Sequence, residues 1–527
     1  MANCYYRLHP ALALRGYRGS PCTLVRRGTP QCAPISENFL HFLQRCDGTE
    51  PFDPELMFRD EAETIERCLA AGIILASDAP CPVLPQQRYR AFDHERKYIA
   101  QWSITGRCNL RCRHCFIASA HSEKELRECS MDEAARIVAE LESYGVETVM
   151  LTGGEPLLHP HFIEIVKLIL DAGMRLDWIN TNGMLLTEEL LDRLEGLGVQ
   201  PKMAISFDGF GTHDWMRNCP GAEEKALRAI RLCGERKLPL RACVNVNRKT
   251  LPGLVSTVKE LVRLGITEVF LLRTTEAPRW AEALADEPSL GISREEFINL
   301  IPSLTEELLP EIKSGLTVKF FGILNIDRRT TAEKLLREKQ KAPEDCSAWC
   351  RKAHSGMFIS SEGYVLPCDG MEGGARDTGL LCDEISILHH SLDEIYRSEA
   401  FSRFGMALTA ADILSASPQC AACEHRNSCY GGQCRVNAFI DGFIANGAMA
   451  DCVLIDWHAK SARELIKLIR EQNKYVSIFL LTEPGDLSQI PVEMFSAIDE
   501  YAWILGDTPE FIAGRIKSAT RKYRKAI

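Results

Sequence analysis

The stretch Ala100-Gln-Trp-Ser-Ile-Thr-Gly-Arg-Cys108-Asn-Leu-Arg-Cys112-Arg-His-Cys115 decides the architecture. Its first five residues read as a short buried strand. Three cysteines follow within eight residues, separated by three residues and then by two. Thiolates spaced this way can wrap one metal centre. A closed structural zinc site takes four ligands, and no fourth cysteine or paired histidine stands beside these three. Completion by His114 or Cys129 is the plain alternative. Three ligands leave one coordination position open, which means chemistry at the metal.

From this strand onward, strand and helix alternate. Strands are expected at Ala100–Ile104, Thr148–Leu151, Leu176–Asn180, Lys202–Ser206, Arg241–Val246 and Glu268–Leu272. Helices are expected near 131–144, 161–172, 187–197, 222–236 and 251–264, the first opened by Ser130 as N-cap. Six such units predict an α/β fold, a parallel sheet curled into a partial (β/α)6 TIM-like barrel, with functional groups at the carboxyl ends of its strands.

Around this core, 95–280, lie four further units. Residues 1–90 contain a helix at 35–46, an Asp47-Gly48-Thr49 turn, a helix at 60–71 and a strand at 73–75. The proline-rich stretch 79–86 reads as a linker. Residues 281–345 read as a charged helical bridge, and 346–452 as a cysteine-dense region organised by metal. In 453–527 a helix at 459–472, strands at 475–481 and 501–504, and a basic helix at 508–526 are expected.

Composition narrows the function. The 527 residues carry a net charge of −10, which argues against a broadly basic nucleic-acid binder. No stretch is long and apolar enough for a signal h-region or a membrane span. The 22 cysteines are therefore expected in a reducing cytoplasm, where such spacing points to metal rather than disulfides.

Cys108-x3-Cys112-x2-Cys115 after a first barrel strand resembles the radical S-adenosylmethionine (SAM) enzymes. The resemblance implies a [4Fe–4S] cluster on these three cysteines, with SAM chelating the fourth iron. His114 stands where that family usually has an aromatic residue beside the adenine. Gly153-Gly154-Glu155-Pro156 resembles the family's motif for the SAM amino group; a carboxylate suits an ammonium. Ser206-Phe-Asp208-Gly209 lies where the family contacts ribose and carboxylate, and Thr181-Asn182-Gly183 ends the strand between. Asn245 and Leu272 are expected to line ribose and adenine.

Downstream, Cys346, Cys350, Cys368, Cys420, Cys423, Cys429, Cys434 and Cys452 resemble the SPASM extension, which holds two auxiliary [4Fe–4S] clusters. The resemblance assigns Cys346, Cys350, Cys368 and Cys434 to the inner cluster, and Cys420, Cys423, Cys429 and Cys452 to the outer one. Four residues separate Cys429 from Cys434 where the family usually has three. Two structural zinc sites are the alternative. Asp369, next to Cys368, is a candidate for a proton role; no catalytic acid or base is otherwise marked.

The N-terminal unit resembles the PqqD-like winged-helix element that binds leader peptides by strand addition, the alternative being a helical cap on the barrel. The stretch 452–527, with Asp499–Arg515 at its heart, resembles the receiver-like N-terminal domain of ornithine/lysine/arginine decarboxylases. Without their catalytic domain it implies docking or self-association into a homo-oligomer. Cys452 opens this match as well and is alternatively a strand residue there. Together these features imply a radical SAM/SPASM enzyme that installs a thioether or carbon–carbon crosslink in a leader-bearing precursor peptide, served by an electron donor such as flavodoxin or ferredoxin. Protein side-chain oxidation, as in anaerobic sulfatase maturation, and tetrapyrrole-cofactor maturation are the other enzymatic readings. An iron–sulfur electron-transfer or scaffold protein is the reading of another class.

Overall fold

The computed structural model describes residues 4–52, 59–115, 127–274, 278–321, 324–328, 355–377, 380–402, 404, 452–456, 477–482 and 500–503. The first unit contains β1 (Cys4–Leu8), β2 (Leu12–Tyr17), β3 (Ser20–Arg26), β4 (Cys32–Pro34), α1 (Glu37–Arg45), β5 (Asp47–Phe52), α2 (Arg59–Ala70), β6 (Ile74–Ser77) and β7 (Arg90–Ala91). They form two small sheets, ordered β5-β1-β6 and β4-β3-β2-β7. Both expected helices are present. α1 starts at Ser36, whose hydroxyl accepts from the Phe39 N–H, and it buries Leu40 and Leu43. The expected Asp47-Gly48-Thr49 turn is instead the start of β5. Gly48 there has φ +75, the left-handed region that suits glycine, and the pairing of β1 with β5 slips register just beside it.

The central sheet carries β8 (Ile99–Ser103), α3 (Met131–Ser143), β9 (Thr148–Thr152), α4 (Phe162–Asp171), β10 (Arg175–Thr181), α5 (Glu188–Gly196), β11 (Lys202–Ser206), α6 (His213–Arg217), α7 (Ala222–Glu235), β12 (Leu240–Val246), α8 (Leu254–Arg263) and β13 (Glu268–Arg273). Helices Pro278–Asp286, Arg294–Glu307 and Leu309–Ser314 follow, then β14 (Thr317–Phe320), β15 (Leu324–Ile326), β16 (Gly356–Ile359) and β17 (Val365–Leu366). The ten strands are ordered β15-β14-β13-β12-β11-β10-β9-β8-β16-β17. All six expected parallel strands are there. Two more flank them: β14 lies parallel to β13, and β16 parallel to β8. The stretch read as a helical bridge thus also supplies a strand, and the cysteine-dense region supplies another.

Alternation explains the packing. In β12, Leu240, Ala242, Val244 and Val246 are buried in one core with the helices, while Arg241, Cys243 and Asn245 stand half-buried on the opposite face. Full burial of Leu240, Val244 or Val246 stabilises the fold by about 1.5–3 kcal/mol each. α3 is fixed by a capping box in which Ser130 and Glu133 satisfy each other's backbone N–H.

The first unit is tied to the amino-terminal ends of the barrel strands. Gly28 N–H donates to Glu147 Oε2 at 2.7 Å, and Arg27 Nη2 donates to Gly173 O at 3.0 Å. That is the opposite end from the cysteine loop. Residues 355–404 share the barrel's core through Ile385, Ile387, Leu392, Ile395 and Phe401. Near the end of the chain, β18 (Cys452–Asp456), β19 (Ser477–Thr482) and β20 (Glu500–Trp503) form a separate parallel sheet, in agreement with the two strands expected at 475–481 and 501–504.

Candidate active site

The cysteine loop leaves β8 and is closed at its neck by a second segment. Gly106 N–H donates to Arg127 O at 2.8 Å, and Cys129 N–H to Ile104 O at 3.1 Å. The loop is then strapped to the end of β9, where Gly154 N–H donates to Thr105 O at 2.7 Å and Glu155 N–H to Arg107 O at 2.8 Å. These bonds explain both glycines. A Cβ on Gly154 would lie 2.6 Å from Arg107 C and 2.7 Å from Gly106 O, and one on Gly153 would strike Thr105 O. Their first task is close approach of two backbones.

Cys112 is buried and Cys108 and Cys115 are half-buried. Two side-chain donors point at the sulfurs. Arg217 Nη1 donates to Cys112 Sγ at 3.7 Å, and Asn182 Nδ2 lies 4.0 Å from Cys108 Sγ while donating to Asn109 Oδ1 at 2.8 Å. Burial pushes the Cys108 thiol up to about 12 and raises Cys112 too, with Arg217 pulling the latter back. Among the described residues, no three His, Cys, Asp or Glu side chains group as ligands of a metal ion. The His114 Nδ1 atom is enclosed and has no hydrogen-bond partner, and burial, with the Arg217 charge beside it, pushes the imidazole down to about 3. A neutral ring with an unsatisfied nitrogen, three thiols in one strapped loop and two N–H donors aimed at sulfur suit an iron–sulfur cluster with a polar ligand beside it.

Glu155 is fully buried. Its Oε1 accepts from Thr181 Oγ1 at 2.7 Å and Leu157 N–H at 3.2 Å, and its Oε2 from Asn182 N–H at 2.7 Å. Three of the roughly four lone-pair sites of a carboxylate are thereby used within the chain. Glu155 locks the end of β9 to the end of β10, and so places Asn182 beside Cys108. Burial pushes its carboxyl up to about 7, the three hydrogen bonds holding it lower than burial alone would. Glu155→Gln turns an NH2 toward one of these N–H donors and leaves a buried donor unpaired. The expected loss is about 1–3 kcal/mol of stability, read as a lowered midpoint in denaturant.

Ser206 ends β11 opposite Cys243 of β12. Asp208 is fully buried; its Oδ2 pairs with Arg217 Nε at 2.7 Å, and its Oδ1 accepts from Asn245 N–H at 3.0 Å and Asn245 Nδ2 at 3.2 Å. Burial opposes the charge on Asp208, but Arg217 and the other groups around it together outweigh burial and hold the carboxyl far below its ordinary range. Leu272 pairs in register with Asn245 across β12 and β13. The expected site residues on these strands thus share one end of the sheet with the cysteine loop. Arg217 went unread, because it stands on the short helix α6 outside any spaced motif. The hint for Asn182 was its place in Thr181-Asn182-Gly183 at a strand end.

Cys368 lies in the described part, and the neighbouring Asp369 Oδ2 accepts from Gln101 Nε2 of β8 at 2.8 Å. Cys346, Cys350, Cys420, Cys423, Cys429 and Cys434 lie outside the described residues, as do the expected helices at 459–472 and 508–526. Cys452 is the first residue of β18, the strand position that its alternative reading gave it. Among the described residues, no helix is long and apolar enough to cross a membrane.

Comparison with known proteins agrees with this geometry. Residues 102–254 match the radical SAM superfamily, 350–424 the SPASM iron–sulfur cluster-binding domain, and 440–523 the N-terminal domain of Orn/Lys/Arg decarboxylases. Cys452 falls within the last of these matches. An AdoMet-dependent heme synthase of Methanosarcina barkeri is 28% identical over 344 residues, which are 65% of this chain and 92% of that protein. A PqqA peptide cyclase of Bradyrhizobium diazoefficiens is 29% identical over 360 residues, 67% of this chain and 86% of that protein. Among solved structures, Streptococcus suis SuiB bound to precursor peptide SuiA superposes with a TM-score of 0.55 at 13% identity, over 82% of this chain and 96% of that one. The chain carries a radical SAM domain and a SPASM iron–sulfur cluster-binding domain, the kinds of domain that work with SAM, a [4Fe–4S] cluster and auxiliary iron–sulfur clusters.

Proposed function

We propose that this enzyme modifies a ribosomally made peptide, closing a thioether or carbon–carbon crosslink. Cys108, Cys112 and Cys115 would hold the SAM-binding cluster, with His114, Gly153, Gly154, Glu155, Ser206, Asp208, Asn245 and Leu272 around SAM. Cys368, with the cysteines at 346, 350, 420, 423, 429, 434 and 452, would serve the auxiliary clusters. Bound there, cluster and SAM supply reductive cleavage of SAM to a 5′-deoxyadenosyl radical. The chain's own residues strap the cysteine loop to two strand ends, direct N–H groups at its sulfurs and keep water from the buried Asp208–Arg217 pair.

The observation that carries the peptide reading is the first unit. It contains a small sheet, β5-β1-β6, beside α1 and α2, and a sheet edge is what an extended leader needs. The likeness to the heme synthases favours a second reading, a tetrapyrrole substrate. One assay separates the two. The reconstituted enzyme, SAM and a chemical reductant are given either a precursor peptide encoded beside the gene or an iron porphyrin. Each new crosslink removes two hydrogens, so the peptide is expected to lose two mass units per bond. An unchanged peptide beside a converted porphyrin would overturn the proposal in favour of the second reading.

A further inference from the structure

The buried ion pair beside the cysteine loop has a consequence for electron transfer. Arg217 is 6% exposed, Asp208 0% and Cys112 8%. Arg217 is bound from two sides: its Nε faces Asp208 Oδ2 at 2.7 Å, and its Nη1 donates to Cys112 Sγ at 3.7 Å. The guanidinium is thus shared between a carboxylate and a sulfur. Two histidines stand near the pair. His213 Nδ1 accepts from the Asp208 N–H at 2.9 Å and lies 3.5 Å from Asp208 Oδ2, and the His114 Nδ1 is enclosed without a hydrogen-bond partner. Arg217 is the charged side chain that joins Asp208 to this sulfur.

The loop is held in place without this contact. Arg113 N–H donates to Met216 O at 2.9 Å, and Arg113 Nε to Trp215 O at 3.0 Å, docking the loop on the end of α6. α6 is in turn anchored by Asp214, which accepts from Gly221 N–H and Glu223 N–H, each at 2.7 Å. The bond from Arg217 to Cys112 is additional to that scaffold, and its chemistry is that of a charged donor on a thiolate.

We propose that the Asp208–Arg217 pair sets the reduction potential of the cluster held by Cys108, Cys112 and Cys115, with Arg217 raising it and Asp208 lowering it. The inference rests on the cluster assignment above. One-electron reduction adds a negative charge at the cluster. A buried cation bonded to a ligand sulfur favours that added charge, because the surroundings screen it poorly. Asp208 draws part of the guanidinium's charge to itself and works in the opposite sense. Arg217 is on this account a positioning and tuning residue for electron entry.

The test is an EPR-monitored titration of the full-length, reconstituted protein with dithionite, without SAM. The signal followed is the one that changes shape when SAM is added to a separate sample. Arg217→Gln is expected to cut the reduced-to-oxidised ratio at a fixed potential about tenfold, a shift of about 59 mV downward for a one-electron couple. Asp208→Asn is expected to move it the other way, and Arg217→Lys to fall between wild type and Arg217→Gln. A purely structural role would not give opposite signs. Equal potentials in all four proteins, each with its full iron content, would overturn the inference and leave the cluster assignment standing. If Arg217→Gln fails to hold iron, Asp208→Asn decides, and an unmoved potential there refutes the proposal. Absence of any SAM-sensitive signal in the wild type would overturn the assignment and the inference together.

Discussion

Replacing Cys108, Cys112 and Cys115 together with alanine is expected to abolish SAM cleavage and to remove about a third of the bound iron. The reasoning is stoichiometric. Three four-iron clusters amount to about twelve irons, and one of them depends on this loop. The fold should survive, because the loop is held by backbone bonds rather than by the thiols: Gly106 to Arg127, Gly154 to Thr105, Glu155 to Arg107 and Arg113 to Met216. Iron is measured after anaerobic reconstitution, and 5′-deoxyadenosine is counted after addition of reductant and SAM. Undiminished 5′-deoxyadenosine in the triple variant would end the assignment of this loop. Zinc as the main metal, with negligible iron, would end the cluster reading altogether.

The barrel was legible because its signals are local and repeated. Each of the six expected strands is a short, mostly apolar run that follows a helical stretch or a turn, and each helix carries an apolar stripe, so every element announces itself without help from its neighbours. The flanking strands lacked that signal. β14 and β16 span four residues each, too short to establish a period, and they follow segments whose character is different. They are strands because the edges of a parallel sheet offer them unpaired backbone groups. The first unit shows the same limit. β2 is buried along its whole length, Leu12–Tyr17, so it does not alternate, and Gly48 reads as a turn although it serves as a bulge within a strand.

The site divides along similar lines. Its cysteines and the Gly-Gly-Glu, Ser-Phe-Asp-Gly and Thr-Asn-Gly turns stand at successive strand ends, and sequence order alone collects them. What each does was less legible. Glu155 was expected to face a ligand's ammonium, yet it spends three hydrogen bonds on Thr181, Asn182 and Leu157. Arg217 carries no motif, since its role depends on α6 folding back so that one side chain spans Asp208 and Cys112. Contacts made by tertiary folding leave no spacing to read.

Gly154→Ala is expected to lower SAM cleavage by about a hundredfold or more, although it adds a single methyl group. The added Cβ would sit 2.6 Å from Arg107 C and 2.7 Å from Gly106 O, and its nearest neighbour is the Arg107 carbonyl oxygen. All three obstacles are backbone atoms, which cannot rotate away as a side-chain end would. Relief requires the segment 105–107 to retreat from the end of β9. That retreat breaks the bonds from Gly154 to Thr105 and from Glu155 to Arg107, and it displaces Cys108, the very next residue. The neck bond from Gly106 to Arg127 lies on the far side of the same segment and resists the movement. The strain therefore falls on the cysteine loop rather than on the barrel. Unfolding should start from a barrel close to wild type, while SAM affinity and cleavage both fall. Gly196→Ala is the control, because a Cβ at that helix end meets nothing within 4 Å. Single-turnover cleavage and SAM binding, measured on both variants at equal iron content, decide the matter. A Gly154→Ala enzyme that cleaves SAM at the rate of Gly196→Ala would show that the close approach of these two backbones does not set the geometry of the site.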